Sequence, residues 1–334
     1  MQSEFGDADL RAHMYMQEPW DQPFVDAHEK HVRGLRGQRK LFNSNMLGLS
    51  LAVEDMQKHH DNRDILLVVA GASPGIHLPV IVKHLRRSNI RHKIDIHLYD
   101  PRPLDRAVSR ALSAGDGAIR TRFTKGTFED SHAREWAARD EKKHCLVFLS
   151  DIRSQIHGKS EHVGADEDKI RLDMQRQRAW VETMLPDYSM LKFHAQHATR
   201  DKEQVAASFS YLDGTLYKQA FTDMFSAECR LFVRKQDIKE KVYSTSAIEK
   251  HMFFHNKRIR PQHFFVATSG THLQFDEAFE SHVADKAAKA LALHADELRS
   301  DAHTSLPVQH LRFTWPIVRA TPTEALLRRV QMHV

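Results

Sequence analysis

The sequence predicts an α/β protein built on a doubly wound, mostly parallel sheet, and three observations predict it. Short apolar, β-branched runs alternate with amphipathic stretches through the first half of the chain. A glycine-bearing turn follows the first of these runs, and an aspartate closes the second. Runs that are apolar throughout suit parallel strands covered on both faces. Strands that alternate with helices imply right-handed crossovers within one sheet.

The elements follow in order. From Leu41 to His60, Phe42, Met46, Leu49, Val53 and Met56 recur at helical spacing and mark an amphipathic helix. Ile65 to Ala70 reads as the first, central strand, His77 to Arg87 as a helix, and Ile94 to Tyr99 as a strand ending at Asp100. Ile119 to Phe123 and Cys145 to Leu149 are further strands, the latter ending at Ser150-Asp151, with a helix over Asp130 to Arg139 between them. Gln155 to Asp168 is glycine-bearing, charged and poor in apolar residues, as a loop after a strand should be. A helix over Lys169 to Met184 leads to a fifth strand, Ser189 to His194. Phe209 to Phe221 and Glu228 to Val233 read as a late, partly antiparallel pair, and Ala247 to Asn256 and Phe275 to Arg299 as helices.

Composition narrows the function classes. With 334 residues, 41% hydrophobic and 28% charged, the chain can bury a large core. Cys145 and Cys229 are its only cysteines, too few for a disulfide framework or a cysteine zinc site, which suits a reducing compartment. The 24 histidines show no HExxH or HxxEH spacing, so no metal site is expected. No run of 18 apolar residues occurs and Met1 to Leu10 is polar and acidic, so the expectation is a cytoplasmic protein without a membrane span. The formal net charge of +5 is dense in Arg33 to Lys40, Arg234 to Lys241 and Lys257 to Arg260, which favours a polyanion partner.

In an open α/β sheet, ligands bind outside the carboxyl ends of the strands where the strand order reverses. Gly71-Ala-Ser-Pro-Gly75 occupies such a place, and Asp100 stands where an acidic residue accepts hydrogen bonds from ribose hydroxyls. The turn lacks the third glycine of a dinucleotide fingerprint. It serves a pyrophosphate poorly and suits the amino-acid end of S-adenosyl-L-methionine better.

Val-Ala-Gly-Ala-Ser-Pro-Gly-Ile-His (69–77), Tyr-Asp-Pro-Arg (99–102) and Phe-Leu-Ser-Asp-Ile-Arg-Ser (148–154) follow in order. They resemble the poxvirus-type family of cap-specific mRNA 2′-O-methyltransferases that also serve as poly(A) polymerase regulatory subunits. Gly37 to Leu41, Met190 to Phe193, Phe225 to Leu231 and Ala247 to Phe254 extend the resemblance over roughly residues 37 to 262. It implies a Rossmann-like methyltransferase fold, methylation of a ribose 2′-hydroxyl near the capped 5′ end of mRNA, S-adenosyl-L-methionine as cofactor, RNA as substrate and a poly(A) polymerase catalytic subunit as partner. It also implies an organisation into an N-terminal arm (1–36), a methyltransferase domain (37–262) and a helical C-terminal extension on the same domain (263–334).

The resemblance also assigns site residues. The family's Lys-Asp-Lys-Glu tetrad falls on Lys40, Asp151, Lys192 and Glu228, all four types present. Lys192 is then the group that steers or deprotonates the hydroxyl, Lys40 a second cation, and Asp151 and Glu228 the balancing acids. The cofactor positions are Gln38, Gly71, Gly75, His77, Asp100, Arg102, Phe123 and Arg153. Among the cap positions, Phe225 and Glu249 match one stacking ring and one acid. The segment His194-Ala-Gln-His-Ala-Thr199 departs from the family pattern, leaving His197 and, from the arm, Trp20 as candidate rings. A noncatalytic RNA-binding or processivity subunit would share the fold, but the intact tetrad opposes it. A nicotinamide-dependent oxidoreductase shares the turn and the acid, but the glycine pattern fits it poorly.

Overall fold

A computed structural model describes residues 13–14, 36–113, 119–154, 167–195, 207–222, 226–266 and 272–306. The chain enters through helix α1 (Arg36–Lys58), whose Phe42, Met46, Leu49, Val53 and Met56 are all buried, as their spacing requires. Strand β1 (Asp64–Ala70), helix α2 (Leu78–Arg87), β2 (Ile94–Asp100), α3 (Arg106–Ser113), β3 (Ile119–Lys125), α4 (Asp130–Ala137) and β4 (His144–Ser150) follow in strict alternation. Helix α5 (Glu167–Met184) then leads to β5 (Tyr188–His194).

The second half is less regular. Strands β6 (Ser208–Leu212), β7 (Thr215–Tyr217), β8 (Glu228–Arg234) and β9 (Glu240–Ser244) precede helix α6 (Thr245–Phe254), which runs on through a π-helical turn, His255–Ile259. A small hairpin, β10 (Phe264–Val266) with β11 (His272–Gln274), introduces helices α7 (Phe275–Leu291) and α8 (Ala295–Ser305).

Seven strands form one sheet in the order β3-β2-β1-β4-β5-β8-β7. Strands β1 to β5 are parallel, and β8 is antiparallel to both β5 and β7. This is the doubly wound, Rossmann-like sheet the sequence predicts, with its late antiparallel strand. The continuous apolar character of β1 and β4 has its cause here. Ile65, Leu67 and Val69 of β1 pack into one core and Leu66, Val68 and Ala70 into the other; Val147 and Phe148 of β4 divide the same way.

Three expectations are corrected. Phe209 to Phe221 is not one strand, because the turn at Asp213-Gly214 splits it and only β7 joins the main sheet. β6 instead pairs with β9 in a separate ribbon. Phe275 to Arg299 is not one helix: Ala292 takes φ +52°, its N–H bonds Ala288 O, and the chain restarts as α8. The predicted loop overlaps α5, which already begins at Glu167, and residues 155–166 lie outside the described ones.

Candidate active site

The strand order reverses between β1 and β4, and the site forms at their carboxyl ends. Asp151 N donates to Ala70 O at 2.9 Å, holding the two strand ends together. Gly71 takes φ +87°, and a Cβ there would meet Asp151 O at 2.8 Å. Gly75 takes φ +75°, with Leu104 and Leu78 filling the space a side chain would need. Both glycines are therefore explained by left-handed backbone and by protein packing. The loop between them is tied to β2. The Asp100 carboxylate accepts from Ser73 N at 3.0 Å, Arg102 N at 2.9 Å and Arg102 Nε at 3.1 Å. Asp100 is buried, while the Arg102 side chain is 54% exposed.

Four distant segments bring Lys40, Asp151, Lys192 and Glu228 together. Lys40 Nζ lies 2.6 Å from Glu228 Oε1, and Lys192 Nζ lies 3.1 Å from Asp151 Oδ1 and 3.2 Å from Glu228 Oε2. Lys40 comes from α1, Asp151 follows β4, and the other two stand on the antiparallel β5–β8 pair, in which Lys192 is opposite Arg230 and Glu228 is opposite His194. Arg153 joins from the loop after β4, 3.0 Å from Glu228 Oε2.

Arg230 is a member of this centre that sequence reasoning missed. Its NH2 group lies 2.5 Å from Asp151 Oδ1, and its NH1 group donates to Ser150 O at 3.2 Å. The available signal was its spacing: residue i+2 from Glu228 on a strand shares its face. Four cations, Lys40, Arg153, Lys192 and Arg230, thus surround two carboxylates, Asp151 and Glu228, leaving two positive charges in excess.

These charges set the protonation states. Burial pushes the Asp151 carboxyl up, but Lys192, Arg230 and Lys40 outweigh it and hold it at about 2. The same contest, with Lys192 and Lys40 against burial, holds Glu228 well below the carboxylate range. Burial lowers Lys192; Asp151 and Glu228 oppose this, Lys40 and Arg153 reinforce it, and the ammonium ends below its ordinary value.

The polar groups behind the centre were also not foreseen. Gln177 of α5 donates to Lys192 O at 3.0 Å, and Asp173, one turn earlier, accepts from Ser154 N and Ser154 Oγ at 2.6 Å each. One helix thus fixes the backbone at both strand ends.

Of the remaining predicted positions, Gln38 and His77 meet: His77 Nδ1 lies 3.1 Å from Gln38 Oε1, and Asn45 Nδ2 lies 2.9 Å from His77 Nε2. The ring is buried, and burial drops it to about 4 despite the nearby Asp151, so it is neutral at physiological pH. Phe123 stands on β3 opposite Leu98, packed half-buried against the core. Glu249 is half-buried on α6, an element separate from the tetrad. Trp20, His197 and Phe225 lie outside the described residues. Among the described residues no cluster of histidine, cysteine or carboxylate side chains could hold a metal, and no helix is long and apolar enough to cross a membrane.

A parallel sheet with this strand order, a glycine turn after β1, an acid at the end of β2 and a charged centre at the β1–β4 switch point together define a protein with a methyltransferase-like fold. Residues 11–277 match the family described as "Poly A polymerase regulatory subunit", and the chain belongs to that family. No curated protein matches the chain. Among solved structures it is similar to one described as "The structure of bluetongue virus VP4 reveals a multifunctional RNA-capping production-line". The TM-score is 0.41 at 12% identity, over 74% of this chain and 36% of that one.

Proposed function

We propose that this protein is an S-adenosyl-L-methionine-dependent RNA ribose 2′-O-methyltransferase acting near the capped 5′ end of mRNA. The observation that carries the reading is the convergence of Lys40, Asp151, Lys192 and Glu228 beside the Gly71 turn.

The residues fit the cofactor's chemistry. Asp100 anchors Arg102 at the end of β2, where a ribose would lie, and the exposed Arg102 side chain offers donors there. Asp151 offers an ionised carboxylate to a positively charged sulfur. When bound, S-adenosyl-L-methionine supplies an electrophilic methyl group to an in-line acceptor.

The chain's own part is to hold the acceptor hydroxyl and take its proton. Lys192 Nζ accepts the 2′-hydroxyl proton as O2′ gains the methyl group, and passes it to solvent afterwards. Its lowered proton affinity makes the free amine accessible nearer neutral pH than an ordinary lysine allows. Asp151 and Glu228 hold the ammonium before release, each 3.1–3.2 Å away. The two excess positive charges attract the RNA phosphates. We assign the catalytic domain to residues 37–262, RNA contact to the arm 1–36 and bracing of α1 to the extension 263–334.

The test is methyl transfer to capped and uncapped RNA, followed by nuclease mapping of the modified nucleotide. Transfer to the cap-proximal 2′-hydroxyl is expected, and absence of any transfer to RNA sinks the reading. A second reading is supported by the family's description: a regulatory subunit for a poly(A) polymerase catalytic partner, with RNA bound but not methylated. Cofactor binding by calorimetry without turnover on any RNA would favour it.

A further inference from the structure

Gln219 lies just beyond β7 and is 3% exposed. In the β7–β8 ladder Tyr217 stands opposite Arg230, so two residues on Gln219 comes opposite Glu228. Its amide is fully engaged there. Nε2 donates to Glu228 O at 3.1 Å and to Glu228 Oε1 at 3.2 Å, while Oε1 accepts from Arg230 Nε at 2.7 Å. On the other side, Ser44 Oγ lies 3.2 Å from the same Oε1 and 2.9 Å from Lys40 O. A single neutral side chain thus touches Glu228 and Arg230 and, through one hydroxyl, the helical turn that carries Lys40.

We propose that Gln219 is a positioning residue of the reaction centre, its uncharged amide fixing where Glu228 and Arg230 stand against Lys192. No other common side chain satisfies these partners. A carboxylate keeps the acceptor for Arg230 but loses the donor to Glu228 and adds a third anion among the charges. A lysine cannot accept from Arg230, and an apolar group strands Arg230 Nε, which is buried. The groups facing Lys192 are Lys40 from α1, Asp151 and Arg153 after β4, His194 from β5, and Glu228 and Arg230 from β8. Gln219 contacts two of them directly, so a change in its charge or length reaches Lys192 through both. Groups that orient a charged centre in this way act by fixing geometry and proton affinity.

The kinetic part of the proposal rests on the methyl-transfer reading, and the titration part does not. In full-length protein, the pH dependence of Lys192 labelling by an amine reagent, read by mass spectrometry, reports the lysine without turnover. Gln219→Glu is expected to move that titration upward by about one pH unit. Methyl transfer at pH 7 should then fall about tenfold and recover as the pH is raised. Gln219→Met should lower kcat at every pH, with KM for RNA within a few fold. A folded Gln219→Glu whose Lys192 titrates as in wild type overturns the proposal. A shifted titration in a protein that methylates nothing overturns the methyl-transfer reading and leaves the positioning role standing. Should both variants fail to fold, Ser44→Ala removes the hydroxyl between Lys40 O and Gln219. It is expected to shift the titration measurably, and an unchanged titration there counts against the proposal.

Discussion

In the proposed reaction Lys192 is the residue on which the chemistry turns, and its environment predicts a pH profile. That proposal makes the free amine the active form, so the rate should rise with pH and level off below the ordinary lysine value of 10.5, because burial outweighs the two carboxylates. Asp151→Asn removes one of those carboxylates, weakens the hold on the proton, and should move the limb to lower pH. Lys192→Ala should abolish transfer while leaving cofactor affinity, measured by calorimetry, within a few fold, since the side chain acts on the acceptor. A second buried lysine gives a stability prediction. Burial lowers Lys218 to about 7, and its ammonium donates to His13 O at 2.7 Å. Its folded pKa lies below its unfolded value, so the unfolded chain binds more protons between about 7 and 10.5. Stability therefore rises with pH across that window, by at most about 1.4 kcal/mol per pH unit from this group. Lys218→Met should accordingly be more favourable at pH 6 than at pH 9 in denaturant titrations, and an equal effect at both would refute the assignment.

At the scale of elements, α1 carries Gln38 and Lys40 into the site and is braced from behind by α7. Arg39 Nε donates to Glu280 Oε1 at 2.9 Å, Asn43 Nδ2 donates to the same oxygen at 3.2 Å, and Arg39 lies 4.4 Å over the Phe221 ring. Glu280→Ala strands a buried guanidinium and should cost about 3–5 kcal/mol in thermal or urea unfolding, lowering activity with it. Replacing the pair together, Arg39→Met with Glu280→Leu, should recover most of that loss. This brace was invisible in the sequence, since two charged residues 241 positions apart carry no periodic signal. What was legible had a local cause. β1 and β4 are buried on both faces and so read as unbroken apolar runs, and the four converging charges sit in segments whose order and residue types the resemblance carried. Arg230 and Gln219 were not legible: one looks like any basic residue on an amphipathic strand, and the other follows the irregular break at Asp213-Gly214. The split of Phe209 to Phe221 went unread because an aromatic-rich run has the same pattern whether it serves one sheet or two.

For the whole molecule, the decisive property is where positive charge stays unbalanced. The chain carries a formal net charge of +5, yet many surface cations are paired, as Lys235 is with Glu141 and Lys241 with Asp213. The charged centre differs in having four cations against two carboxylates, and those cations hold both carboxylates ionised near pH 7. A phosphodiester chain entering there replaces counterions, and for single strands the logarithm of affinity falls with that of salt by about 0.7 per phosphate neutralised. Two excess charges therefore predict a slope of at least about −1.4 from the centre alone. Arg153 has a side chain 32% exposed and is the cation nearest solvent for which removal leaves Lys192 and Arg230 in place. Arg153→Gln should flatten the slope by about 0.7, measured by fluorescence anisotropy of a short RNA between low and physiological salt. A variant slope equal to that of wild type would mean that RNA phosphates do not run past Arg153, and would move the RNA path to another face of the sheet.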